Sequence, residues 1–112
     1  MLSFSFTIPE THPALAGHFP GNPLVPGVVI LDRVLQGLKN ELENTSPPKP
    51  ALARLTIQAM KFKATLRPNE LTTVLYTLGA DTCSFIVSTL RDQQEHLLAE
   101  GKLTFETQGP RP

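Results

Sequence analysis

His18 and Asp32 are the two side chains in this sequence best suited to acid–base chemistry. His18 is flanked by Gly17 and by Phe19-Pro20-Gly21. An imidazole titrates near neutrality, so it can accept a proton at physiological pH. Asp32 is the only charged side chain between His18 and Arg33, and it closes a stretch, PGVVILD, that is otherwise apolar. A carboxylate in such surroundings costs several kcal/mol unless it is paired or protonated, and a protonated carboxyl is a general acid. Gln36 follows four residues later, a helical spacing at which its amide can hydrogen-bond Asp32 and hold its orientation. The free N–H groups of a helix beginning here, at about Gly27 to Val29, form a ready oxyanion site. Gly27 has no Cβ to keep a substrate carbonyl away from the backbone. A base, an acid and an enolate stabiliser together could move a proton beside a carbonyl.

Each residue also has a plainer reading. Aspartate is seldom fully buried, and a helix could turn Asp32 to the solvent edge near Lys39. A histidine in a loop is commonly an ordinary surface residue. Two features favour the chemical reading. The loop is stiffened by Pro13, Pro20, Pro23 and Pro26. At 100° per residue, Asp32 lies about 40° from Val28 and about 60° from Val29, inside the expected buried arc. The stretch from Phe19 to Val25 can span up to roughly 23–25 Å, so His18 could reach Asp32 of its own chain or of another.

The elements that must position these groups are legible in outline. Residues 3–8 alternate apolar and polar, as a strand with one buried face does. From about Pro9 to Val25 four prolines and two glycines exclude regular structure. Pro26 suits the first position of a helix. Val28, Leu31, Leu35, Leu38 and Leu42 recur at steps of three and four, which predicts a helix to about Glu43. The segment from Asn44 to Pro50 ends it. Residues 52–63, 71–79, 82–90 and 96–107 read as strands, separated by Arg67-Pro68-Asn69-Glu70, Gly79-Ala80-Asp81 and Arg91-Asp92-Gln93-Gln94. In the last strand Leu97, Ala99, Leu103 and Phe105 are expected on one face, with Glu100, Lys102 and Thr104 on the other. Short connections and the lack of a second helix predict antiparallel pairing. The expected architecture is α+β: one domain over residues 1–107, a helix on a curved sheet, with a frayed tail over 108–112. So small a chain can hardly surround so apolar a helix, so a second subunit is expected to cover part of it.

Composition narrows the function. The chain has 112 residues, ten basic and ten acidic side chains, and 40% apolar residues. That gives one domain with a real core. Zero formal charge and a pI near 6.8 argue against a dedicated nucleic-acid binder. Three histidines without paired spacing make no metal site, and no cofactor is implied. The sequence shows no membrane span, signal peptide or disulfide pair, so a cytoplasmic protein is expected.

Residues 17–32, GHFPGNPLVPGVVILD, closely resemble the signature of the FabA/FabZ-type β-hydroxyacyl-acyl carrier protein dehydratases. In that family a GHFPxxPxxPG segment precedes a central helix with an acidic residue fourteen positions after the histidine, the separation of His18 and Asp32. Gln36 falls where the family has glutamine. Weaker similarity continues through Lys61-Phe62-Lys63, Arg67-Pro68-Asn69-Glu70-Leu71 and Ala99-Glu100-Gly101-Lys102-Leu103, over nearly the whole chain. The resemblance implies a hotdog fold, in which a curved antiparallel sheet wraps a long helix, usually paired as a dimer: a homodimer first, with a higher oligomer or a mixed dimer with another hotdog chain as alternatives. It implies dehydration of a (3R)-hydroxyacyl thioester on acyl carrier protein to the trans-2-enoyl thioester, in fatty-acid or polyene biosynthesis. By position, His18 would take the C2 proton and Asp32 of the other subunit would protonate the departing hydroxyl. The Gly27 N–H would bind the thioester oxygen, the Leu24 carbonyl would fix the His18 ring, and Gln36 would orient Asp32. Phe19, Pro26 and Val28 would line the acyl tunnel.

The sequence departs from the family's pattern in three respects. One branch has Glu where this chain has Asp32; aspartate is the choice of decenoyl-forming dehydratase-isomerases and of compact aryl-polyene-type dehydratases, which this chain most resembles. The chain is also shorter than the common fatty-acid dehydratases. Arg33 stands where the family usually has a small or apolar residue; the 100° step between helix neighbours predicts that it points away from Asp32. A general acid must carry its proton at pH 7, so apolar burial is expected to raise the Asp32 pKa. Two other functions fit the fold: a hotdog thioesterase, which would release free acid and thiol, and a non-catalytic subunit of a mixed dimer. His12 and His96 read as plain polar residues, and Cys83 as a small core residue. Lys61 and Lys63 read first as a solvated strand face and second as a docking patch for an acidic carrier protein, with Arg67, Arg91 and Arg111 as weaker candidates.

Overall fold

The computed structural model describes residues 2–15, 24–43 and 52–107. His18, Phe19 and Arg111, and the expected tail over 108–112, lie outside the described residues. The elements run β1 (Leu2–Phe6), a single 3-10 turn (Pro13–Leu15), α1 (Gly27–Glu43), β2 (Leu52–Phe62), β3 (Thr72–Leu78), β4 (Thr82–Arg91) and β5 (Gln94–Thr107). The five strands form one antiparallel sheet in the order β1-β3-β4-β5-β2. This is the expected α+β arrangement, one helix on a sheet, and it is a hotdog fold.

The helix lies against β1 and β3. Val29, Ile30, Val34, Leu38 and Leu42 are buried in the core with Phe6, Val74, Tyr76, Phe85, Val87, Leu98 and Leu103 of the sheet. Close approach is possible because residue 37 is glycine: a Cβ there would collide with the ring of Phe4 and stand 2.5 Å from the Tyr76 hydroxyl oxygen. The Tyr76 hydroxyl, fully buried, donates a 2.5 Å hydrogen bond to the Val34 carbonyl of α1. Burial holds the phenol well above its ordinary pKa, so it stays a donor.

Two expectations about faces are corrected. Val28 does not join the buried stripe; it is 71% exposed, while Val29, Ile30 and Val34 take the sheet-facing arc and Leu31 and Leu35 are half-buried. The reason is rotation: the Gly37 seat and the Tyr76–Val34 bond fix which side of α1 meets the sheet. In β5, Ala99, Leu103 and Phe105 face the core as expected, but Leu97 is exposed and Leu98 is buried. A register shift between β4 and β5 explains it: Val87 pairs with Ala99 and Ser88 with Leu97, so Leu98 is the extra residue of a bulge.

The turns use two kinds of chemistry. Asp92 and Gln93 both have positive φ, 51° and 65°, in the two-residue loop of the β4–β5 hairpin, as a type I′ turn requires. Between β2 and β3, Glu70 accepts hydrogen bonds from the Arg67 N–H (2.8 Å) and from Arg91 Nε (2.5 Å) and Nη2 (2.7 Å). Arg91 Nη2 also donates to the Thr65 carbonyl at 2.6 Å. Arg91 is therefore a structural clamp tying the end of β4 to the β2–β3 connection. Its guanidinium holds the Glu70 carboxyl below the usual glutamate range.

Two outcomes are expected. Tyr76→Phe removes a buried hydrogen bond and should cost about 1 kcal/mol, lowering Tm by roughly 4–8 °C in a thermal melt. Because the Glu70 pKa is lowered on folding, its contribution is present above the unfolded value near 4.5 and lost as pH falls through the folded value. Glu70→Gln should thus cost about 1–2 kcal/mol at pH 7 by denaturant titration, and the difference from native protein should shrink below pH 4.

Candidate active site at the start of the central helix

Just before α1, the Val25 N–H donates to the Leu66 carbonyl at 2.8 Å, against the segment that follows β2. The Pro26 carbonyl then accepts from the N–H groups of Val29 (3.0 Å) and Ile30 (3.5 Å). Pro26 is therefore the half-helical cap and Gly27 the first helical residue, one position later than expected. The N–H groups of Gly27 and Val28 have no acceptor within the helix and lie at its positive end. Leu24, Pro26 and Gly27 are half-buried.

Phe62, at the end of β2, lies over this helix start. A Cβ on Gly27 would stand 2.8 Å from Cζ of its ring. Spacing alone could not show this contact, because it depends on the β2–β5 register, in which Phe62 pairs with Ala99 and faces the helix side of the sheet. Phe62 is nevertheless 51% exposed, and Ile57 and Leu55 of the same edge strand are also exposed.

Asp32 is exposed in the single chain, which corrects the expectation of burial inside the apolar arc. With Val29, Ile30 and Val34 turned to the sheet, Val28, Asp32 and Gln36 share the face of α1 that turns away from it. The expected pairing is present: Gln36 Nε2 donates a 2.9 Å hydrogen bond to Asp32 Oδ2. Arg33 Nη1 lies 3.5 Å from Gln36 Oε1, so Arg33 turns toward Gln36 and not toward Asp32. Sequence reasoning had no part for this contact.

The chain is matched over residues 1–102 by the family model described as ApeI-like, ApeI dehydratase. It belongs to that family. The FabZ 3-hydroxyacyl-acyl-carrier-protein dehydratase of Aliarcobacter butzleri is 32% identical over 104 residues, which cover 88% of this chain and 67% of that one. The corresponding enzyme of Chlamydia trachomatis is 42% identical over 66 residues, 55% of this chain and 42% of its own length. The chain thus spans less than half of that relative. Among solved structures, an uncharacterized protein from Erwinia carotovora superposes with a TM-score of 0.71 at 21% identity, covering 94% of this chain and 82% of that one. The dehydratase heterocomplex ApeI:P from Xenorhabdus doucetiae superposes at 0.65 with 24% identity, covering 92% and 84%. These likenesses show the hotdog fold.

Other reactive side chains among the described residues of this ApeI-like chain include Cys83, His96 and Lys63. Cys83 is fully buried, and burial pushes its thiol up to about 11, so it is protonated and inert at neutral pH. His96 is exposed on β5, and Lys63 lies 3.8 Å from Glu100 on the sheet surface. Replacing Gly27 by alanine tests the fit at the helix start. The nearest described neighbour of the new methyl is the tip of a half-exposed ring that can move aside, so Gly27→Ala should shift unfolding free energy by no more than about 1 kcal/mol in a denaturant titration.

Proposed function

We propose that this chain is a 3-hydroxyacyl-acyl carrier protein dehydratase whose active site forms between two copies. The observation that carries the reading is the Asp32–Gln36 pair, set on the uncovered face of α1 one turn beyond the Gly27 helix start. Membership of the ApeI-like family and similarity to enzymes named as FabZ dehydratases support it. The exposed Val28 beside Asp32 and the exposed apolar side chains of the edge strand β2 support a second chain at this place. Such a cover would withdraw Asp32 from water and give it the apolar setting that a proton-bearing acid needs.

In the dimer, His18 of one protomer takes the C2 proton of the bound 3-hydroxyacyl thioester. The C2 electron pair forms the C2=C3 bond, and the C3–O bond breaks. Asp32 of the other protomer gives its proton to the departing oxygen, which leaves as water. Negative charge building on the thioester oxygen is met by the Gly27 N–H at the positive end of α1. The Leu24 carbonyl holds the His18 ring, Gln36 holds Asp32, and Phe19, Pro26 and Val28 line the acyl channel.

Purified chain should convert a 3-hydroxyacyl carrier-protein thioester to a product lighter by one water, read by mass spectrometry. His18→Ala and Asp32→Asn should each lower turnover by at least about 10²-fold while the melting curve is kept. Mixing the two variants and letting subunits exchange should recover about a quarter of native activity, because half the dimers are mixed and each has one intact site. Release of free acid and thiol would show a thioesterase instead. Full activity in either variant would end the assignment.

A further inference from the structure

Gln36 lies between Asp32 and Arg33 on α1, about 40° around the axis from the first and about 60° from the second. Its amide touches both: Nε2 donates to Asp32 Oδ2 at 2.9 Å, and Oε1 stands 3.5 Å from Arg33 Nη1. Arg33 is half-buried, and its Nε–H is buried without a hydrogen-bond partner among the described residues. No carboxylate among the described residues lies within ion-pair distance of it. Among the described residues, the side-chain hydrogen bond of the guanidinium is thus its 3.5 Å contact with Gln36 Oε1.

We propose that Arg33 is a positioning residue that fixes which end of the Gln36 amide faces Asp32. This rests on the dehydratase reading, in which Asp32 is a general acid. An amide has nearly the same shape either way round, so its hydrogen-bond partners decide its orientation. While Asp32 is ionised it only accepts, and it selects the NH2 end by itself. Once protonated, the carboxyl can also donate. A Gln36 amide turned round would then accept the acidic proton on its own oxygen and aim it away from substrate. Arg33 has donors only, so it holds the Gln36 oxygen on its own side. The NH2 end stays on Oδ2, and the proton of Asp32 is kept on Oδ1, free to be given to the departing hydroxyl. Arg33 acts through Gln36 and touches no reacting atom.

The test is a double-mutant cycle on the full chain, assayed with a 3-hydroxyacyl carrier-protein thioester. Arg33→Met keeps the apolar stem and removes the donors; it should lower kcat roughly tenfold, with KM and Tm within error of native. Arg33→Lys, which still only donates, should recover most of the loss. In a Gln36→Leu background there is no amide to orient, so Arg33→Met should have no further effect on kcat. An equal kcat loss in both backgrounds would overturn the proposal, as would an unchanged kcat in Arg33→Met or a defect confined to KM. If His18→Ala and Asp32→Asn are inactive while Arg33→Met is fully active, only this proposal fails. A native chain that eliminates no water would overturn the dehydratase reading and this proposal together.

Discussion

The seat of α1 on the sheet at Gly37 is the constraint from which the rest of the molecule follows. The helix can come down onto Phe4 and Tyr76 only because residue 37 carries no side chain. Once it is down, the Tyr76 hydroxyl binds the Val34 carbonyl and fixes the rotation of the helix about its axis. A helix packed by apolar contact alone could turn by some tens of degrees and bury a similar area, since the hydrophobic effect has no direction. A hydrogen bond to one carbonyl cannot be met at another rotation. With that angle set, Val29, Ile30, Val34, Leu38 and Leu42 must enter the core, and Val28, Asp32 and Gln36 must leave it.

This rotation leaves the single chain with a face that one sheet cannot satisfy. Val28 stands 71% exposed beside a carboxyl group, and the inner side of β2 carries Phe62 half in water over the helix start. In the proposed dimer these features have one explanation. The sheet covers the side of α1 that holds the protomer together, and the opposite side is kept for a second chain, which would bring its own loop and His18 with it. The apolar environment of the acid would then be a property of the assembly, and the exposure of Asp32 in one chain is what such an arrangement leaves when the chains are apart.

Period and punctuation in the sequence carried the elements well. The alternation over 71–79 and 82–90 became β3 and β4 to within about one residue, and the apolar steps from Val28 to Leu42 did mark a helix ending at Glu43. They did not carry its rotation, because PGVVILD is apolar nearly all round and offers no contrast between faces. The Gly37 and Tyr76 contacts, 39 residues apart in sequence, break that symmetry. Leu98 shows the same limit in a strand: alternation assumes an unbroken register, and the bulge opposite Val87 and Ser88 reverses the expected faces of Leu97 and Leu98. The Asp32–Gln36 pair was legible because it is local, four residues along one helix. Phe62 over Gly27 was not, because it depends on how β2 registers against β5.

Arg33 shows why a charge next to an acid in sequence need not act on it directly. Successive helix residues diverge by 100°, whereas residues three and four apart share a face. The nearest group that both Asp32 and Arg33 can reach is therefore Gln36, and each touches a different end of its amide. An arginine bound straight to the carboxyl would favour its charged form and oppose a general acid. Placed behind a neutral amide, the same cation meets the acid only through the two ends of Gln36. The arrangement therefore allows a fixed positive charge one residue from the acid without a direct ion pair between them.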